Sequence, residues 1–163
     1  MCAIFGVVGV EEAAKIAYLG LHAQQHRGQE GAGIVTIDVQ GSPRIQRNQG
    51  LVGEAFDEGS LERLSGRAAV GHVRYSTAGG NTVANLQPLF LNSALGWIAV
   101  AHNGNLVNAP ELAQRLEAEG SIFQSTSDTE VIVHLMARSG EKDVVAALVK
   151  ALREVRGAYS LIV

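Results

Sequence analysis

Short apolar runs punctuated by glycine alternate along this chain with stretches whose apolar residues recur every three or four positions. The first run, residues 3–9 (Ala-Ile-Phe-Gly-Val-Val-Gly), predicts a buried strand that starts directly behind Cys2. Glu11 and Glu12 then open a helix, where negative charge suits the dipole, and Ala13, Ile16, Ala17, Gly20 and Leu21 make its apolar face. Residues 25–33 read as a polar, glycine-rich turn, 34–39 as a strand, and 40–43 as a hairpin-like turn into the alternating residues 44–47. Residues 61–65 predict a short helix at most, and 68–75 a strand that is heavily apolar up to Arg74. Residues 76–85 have the composition of a mobile lid. Strands over 88–91 and 95–101 pair around Asn92-Ser93, and 102–105 follows as a turn.

The remaining pattern is helical. Asn108 with Glu111 resembles a capping box, with Pro110 in the first turn of a helix that runs to about residue 119 and stops at Gly120. Ser127-Asp128-Thr129-Glu130 reads as a second capping box, opening a helix through Arg138. A third helix spans 143–156, with Val144, Leu148, Ala151, Leu152 and Val155 on one face; Gly157 stops it and 158–163 begins a strand. A chain that stops inside an apolar run reads as a fragment. The pattern as a whole is α+β, with sheets sandwiched between helices, and 163 residues fit one domain.

Composition narrows the function. With 47% hydrophobic and 18% charged residues the chain has the make-up of a globular domain able to bury its own core. A net charge of −3 argues against nucleic acid or an anionic membrane as the main partner. One cysteine cannot form an internal disulfide, a Cys-rich zinc site or an iron–sulfur cluster, so no metal is expected and the reducing cytoplasm is the natural compartment. No apolar run is long enough to predict a membrane span, and no basic segment precedes the first run as a signal peptide requires. The 19 glycines suggest tight turns and close backbone approaches.

Cys2 then becomes the candidate around which the rest is weighed. Removal of Met1 would leave it carrying both a thiol and the chain's α-amine, a nucleophile and a base in one residue. An α-amine has an unperturbed pKa of roughly 7.7–8.0, so near neutrality it can accept a thiol proton. A thiolate attacking a carboxamide creates an oxyanion, and the Asn103 side chain with the Gly104 N–H can supply two donors. An amino-acid substrate also needs a cation for its α-carboxylate and an acid for its α-ammonium, and Arg74 and Asp128 are the right types. Each residue has a plainer reading too. Cys2 could be a small buried hydrophobe, Arg74 a solvated charge, Asn103-Gly104 a type I′ hairpin dipeptide, and Ser127 and Asp128 helix caps. His22, His26, His72, His102 and His134 compete as the base of a Cys–His dyad, with packing as their alternative.

Cys2, His26-Arg27-Gly28-Gln29-Glu30, Gly71-His72-Val73-Arg74-Tyr75-Ser76-Thr77, His102-Asn103-Gly104-Asn105 and Ser127-Asp128-Thr129-Glu130 occur in that order. Together they resemble the class II, N-terminal-nucleophile glutamine amidotransferase domain over nearly the whole chain. His26, Gln29 and Tyr75 favour its phosphoribosyl-transferring branch over the glucosamine-6-phosphate synthase type, which typically carries a tyrosine-glycine-tyrosine variant of the second motif and a tryptophan after the arginine. The resemblance implies a four-layer α/β/β/α sandwich of two mainly antiparallel sheets and hydrolysis of glutamine to glutamate and ammonia. It makes Cys2 the nucleophile, Asn103 and Gly104 the oxyanion hole, and Arg74, Asp128 and Thr77 binders of glutamine. Arg27 is a supporting residue near the nucleophile, and residues 76–85 are the lid. In the complete enzymes of this branch the ammonia passes to phosphoribosyl diphosphate, giving 5-phosphoribosylamine in purine biosynthesis. That step belongs to a phosphoribosyltransferase domain whose motif is missing here, so 1–163 reads as a partial amidotransferase domain. The resemblance implies no cofactor for this chain, Mg2+ only for the absent domain, and a homo-oligomer as the full enzyme. A catalytically silent glutamine-binding module is the rival reading. Ala3 stands where the family usually has glycine after the nucleophile.

Overall fold

The computed structural model describes residues 2–75 and 82–163. Ala3–Val8 (β1), Gly31–Ile37 (β2), Pro43–Gln49 (β3) and Ala68–Arg74 (β4) form an antiparallel sheet in the order β1-β4-β2-β3. A second antiparallel sheet, in the order β5-β6-β7, comprises Leu89–Ser93 (β5), Gly96–Leu106 (β6) and Gly157–Ile162 (β7). Helix Ala13–Ala23 (α1) packs on β1, β2 and β4. Short helices Val52–Ala55 (α2) and Glu58–Arg63 (α3) lie between β3 and β4 in the chain. Ala109–Ala118 (α4), Thr129–Ala137 (α5) and Val144–Leu152 (α6) share a core with the second sheet. The two sheets meet through β1, β4, β6 and β7, giving the expected four layers.

Strand alternation assigns each side chain to a layer. Ala3, Ala32, Ile34, Ala69 and Val73 pack with Ala13, Ala14, Ala17 and Leu21 in the core under α1. Their neighbours Cys2, Ile4, Gly6, His72 and Arg74 therefore face the other way, toward the second sheet, where a methyl at Gly6 would meet the Ile162 side chain. In β6, Ile98, Val100 and Leu106 belong to the helix-side core, so Asn103 has the opposite parity and faces the first sheet.

Several local expectations give way. Residues 31–33 are not turn but the start of β2, paired with both Arg47–Gln49 and His72–Arg74. Residues 102–105 are not a turn either: they continue β6 and pair with 158–161 of β7, so Asn103-Gly104 is no hairpin dipeptide. On α1, Ile16 is partly exposed and Ala14 takes its place in the core. Neither anticipated capping box forms. Asn108 instead bridges Glu154 O (2.9 Å) and Arg156 N (2.7 Å), and Glu130 accepts from the Gln124 and Ser125 N–H groups, 2.8 Å each. Both side chains are buried and find partners other than the cap N–H groups. No helix among the described residues is long and apolar enough to cross a membrane.

Candidate active site

Cys2 extends β1 by one residue, beside the end of β4. Its Sγ lies 3.4 Å from the donating Tyr75 N–H and 3.5 Å from the Tyr75 carbonyl oxygen, and its own carbonyl accepts from Arg27 Nε at 3.2 Å. Arg27 sits in a 3-10 turn (Gln25–Arg27) directly after α1, and its bond is to the Cys2 backbone rather than to the thiol. Arg74 is 4% exposed on the inward face of β4, with Nη1 donating to Asn85 O at 3.0 Å.

Two contacts set the register between the sheets. Gly6, opposite Val70 in β4, meets Ile162, which is opposite Ala101 in β6. One step along, the His72 imidazole Nε2 lies 3.2 Å from the His102 carbonyl oxygen. Beyond these points the first sheet ends at Cys2 and Arg74, and the second runs on through Asn103 and Gly104. Cys2, Arg74 and Asn103 therefore lie toward the same end of the sandwich.

Asp128 immediately precedes α5 and completes this end. Its Oδ2 accepts from the Leu106 N–H at 2.9 Å, and its Oδ1 lies 3.5 Å from His102 Nδ1. Burial pushes its carboxyl up, but the His102 hydrogen bond, the Leu106 N–H and the Thr129 N–H together hold it below the ordinary carboxylate range, so it is an anion ready for a cation. Fully buried His72 is pushed down to about 3 by desolvation, against the bond to His102, and with Arg74 and His102 opposing a further charge. His72 is therefore a neutral donor across the sheets. Glycine at 104 is required by close approach, because a Cβ there would sit 2.8 Å from His102 Nε2 and overlap the Ala158 carbonyl. Among the described residues, no group of three or more His, Cys, Asp or Glu side chains could hold a metal ion.

A family model described as the glutamine amidotransferase domain matches residues 57–162. An amidophosphoribosyltransferase from Lacticaseibacillus casei is 51% identical over 162 residues, covering 99% of this chain and 83% of that sequence. The chain belongs to this family. The amidophosphoribosyltransferase of Bacillus subtilis is 50% identical over 163 residues, and there the chain covers 34% of its length. The solved B. subtilis glutamine phosphoribosylpyrophosphate amidotransferase, complexed with ADP and GMP, superposes with a TM-score of 0.90 at 48% identity, covering 99% of this chain and 34% of that one. A solved structure described as the allosteric regulatory enzyme of purine biosynthesis gives 0.92 at 49% identity, with the same coverage. The chain thus spans about a third of the length of the B. subtilis sequence and of both solved chains, and corresponds to their glutamine amidotransferase domain.

Within this amidotransferase domain, Cys2 and Arg74 share the inward face at one end of the first sheet, Asp128 bonds β6 just past Asn103 and Gly104, and Arg27 bonds the Cys2 carbonyl. Thr77, Met1 and residues 76–81 of the expected lid lie outside the described residues. The far end of that expected lid is not a loop over the site: Val83–Asn85 is a 3-10 turn and Asn85 is fully buried. None of the five candidate histidines hydrogen-bonds Cys2 Sγ in the described residues; His72 and His102 instead knit the layers together. The methyl of Ala3 lies in the core under α1, on the opposite face of β1 from the thiol. Sequence reasoning missed Asn85 and Gln87, two carboxamides embedded in apolar surroundings; their only signal was polarity inside an otherwise apolar approach to β5.

Proposed function

We propose that this chain hydrolyses glutamine to glutamate and ammonia with Cys2 as nucleophile. The observation that carries the reading is the seat of Cys2, whose sulfur meets the Tyr75 N–H on the same inward face as Arg74. In the reaction the α-amine, exposed by loss of Met1, takes the thiol proton. The thiolate attacks the side-chain carboxamide carbon, and the developing oxyanion is held by the Asn103 side chain and the Gly104 N–H. The amine returns its proton to the leaving nitrogen, ammonia departs, and a thioester remains. Water, deprotonated by the same amine, cleaves the thioester to glutamate and frees the thiol. The Arg74 guanidinium holds the α-carboxylate of glutamine, and Asp128, kept anionic by its donors, holds the α-ammonium. Thr77 adds a substrate contact, Arg27 steadies the nucleophile, and residues 76–85 retain the role of cover through their first part.

Residues 1–163 act as part of a glutaminase domain that needs no cofactor of its own. In the full-length protein the ammonia passes to phosphoribosyl diphosphate, giving 5-phosphoribosylamine for purine biosynthesis, on a Mg2+-dependent domain of a cytoplasmic homo-oligomer. Sequence identity of about half to amidophosphoribosyltransferases supports this wider reading. The test is the intact mass after exposure to 6-diazo-5-oxo-norleucine, a glutamine-like electrophile. A single adduct mapped to a Cys2 that has lost Met1 is expected. Folded protein, free of Met1, that takes no adduct would overturn the assignment.

A further inference from the structure

Segment 85–88 does not touch Cys2, yet it is bonded to Arg74 at the end of β4, to β6 directly before Asn103, and to residues on both sides of Asp128. The Asn85 carbonyl accepts from Arg74 Nη1 at 3.0 Å. The Asn85 carboxamide accepts from the Thr126 N–H at 2.9 Å and donates to Thr126 Oγ1 at 2.9 Å, two residues ahead of Asp128. Gln87 performs the corresponding task on the other side. Its Oε1 accepts from the His102 N–H at 2.7 Å, directly before Asn103, and its Nε2 donates to Thr129 Oγ1 at 3.0 Å, directly after Asp128. That hydroxyl in turn lies 2.9 Å from His102 Nδ1. The segment itself is held from outside by Arg47, whose Nη1 donates to Leu86 O at 2.9 Å and Pro88 O at 3.4 Å. It lies against β2 where Gly31 and Gly33 leave room: a Cβ at either would overlap Leu86 or the Gln87 carbonyl. Both carboxamides are buried, Asn85 fully and Gln87 to within 4%.

We propose that Asn85 and Gln87 are positioning residues with separable duties. Asn85 spaces the carboxylate-binding Arg74 from the ammonium-binding Asp128, whereas Gln87 fixes the backbone that presents Asn103 and Gly104 to the oxyanion. The inference rests on the function proposed above. Removing the Asn85 carboxamide leaves the Thr126 N–H and hydroxyl unsatisfied and unties the backbone whose carbonyl holds Arg74, whereas removing that of Gln87 strands the His102 N–H and the Thr129 hydroxyl. A loosened Arg74–Asp128 pair weakens binding of the α-amino-acid end before and during reaction alike, which raises KM. A displaced His102 backbone misplaces donors needed only once the oxyanion forms, which lowers kcat.

The experiment is steady-state glutamine hydrolysis by the full-length protein, as wild type and as Asn85→Ala, Asn85→Asp, Gln87→Leu and Gln87→Glu. The amplitude of each variant's cooperative unfolding transition, read by circular dichroism, gives the folded fraction by which kcat is normalised. For Asn85→Ala the expected result is a glutamine KM raised by about tenfold with kcat per folded site within about twofold. For Gln87→Leu it is a kcat per folded site lowered by about tenfold with KM within about threefold. The isosteric variants Asn85→Asp and Gln87→Glu, which keep volume and one acceptor, are expected to show the same split at reduced size. Wild-type KM and kcat per folded site in all four variants, or an identical pattern at both positions, would overturn the proposal. Absence of glutamine hydrolysis by the wild type would instead overturn the proposed function, and this inference with it.

Discussion

The two ends of the space between the sheets are built by the same strands and are chemically opposite. At one end β4 contributes Ala68 and Val70, β6 contributes Trp97 and Ala99, and an apolar cavity of about 430 Å³ lies between the layers with Val8 and Ile162 on its wall. Two to four residues further along each strand the inward positions become His72, Arg74 and Asn103, and hydrogen bonds join His72 to β6 and tie Arg74 and His102 to residues 85–87. The apolar end is held by contact alone, which adjusts to small changes. The polar end is held by partners of fixed direction, which do not. A catalytic site needs the second kind of order, and here it is obtained by changing residue type along a strand without changing its path.

The comparison breaks most sharply at the nucleophile. Cys2→Ala should abolish glutamine hydrolysis while leaving the thermal melt unchanged, because the thiol's contacts are two weak bonds to Tyr75; normal turnover by this variant would remove Cys2 from the mechanism. Arg74→Ala should raise the glutamine KM by more than about tenfold, since a charge-assisted carboxylate contact is worth about 1.5–3 kcal/mol. An unchanged KM would take Arg74 out of the site.

Acid probes the polar end from another side. Unfolded, His72 binds a proton near pH 6.5, but folded it resists until about 3, so the unfolded state carries the extra proton throughout that window. Stability should therefore fall as the pH drops from about 6.5 toward 3, and His72→Asn should flatten that slope in urea titrations read across the window. Below its ordinary range Asp128 adds loss of the same sign as it takes up its proton. A slope unaffected by the substitution would mean that other groups set the acid limit. The smallest effect belongs to the apolar end. Trp97, half exposed and stacked on Phe90 at 4.8 Å, should cost about 0.5–1.5 kcal/mol of stability as Trp97→Ala and leave glutamine kinetics untouched. A changed KM there would show that the two ends are coupled.

Much of this division is legible in the residues alone. The apolar runs located six of the seven strands to within a few positions, and the reacting residues stood out as polar interruptions of those runs. What escaped depends on partners far away in the chain. Asn103-Gly104 reads locally as a turn, and only the return of residues 158–161 to its side makes it strand. Gly31 and Gly33 look like turn glycines until Leu86 and Gln87 lie over them. Asn108 carries the spacing of a helix cap, yet it bonds to Glu154 and Arg156, which no local rule brings near. The alternating strand β3 and short helix α2 carry no reacting group, and missing the helix cost the site nothing.

The room left at Gly33 has a consequence for how this activity could be lost over generations. An alanine at that position would force the Gln87 carbonyl away from β2, shifting the strap that spaces Arg74, Asp128 and Asn103, while every reacting side chain stayed in the sequence. Such a copy would still pass any inventory of catalytic residues and still give an alkylated Cys2, yet should turn over glutamine at least about tenfold more slowly. Decay of this amidotransferase can therefore begin at a residue with no functional group at all, and a gene that looks intact by its motifs can already be silent.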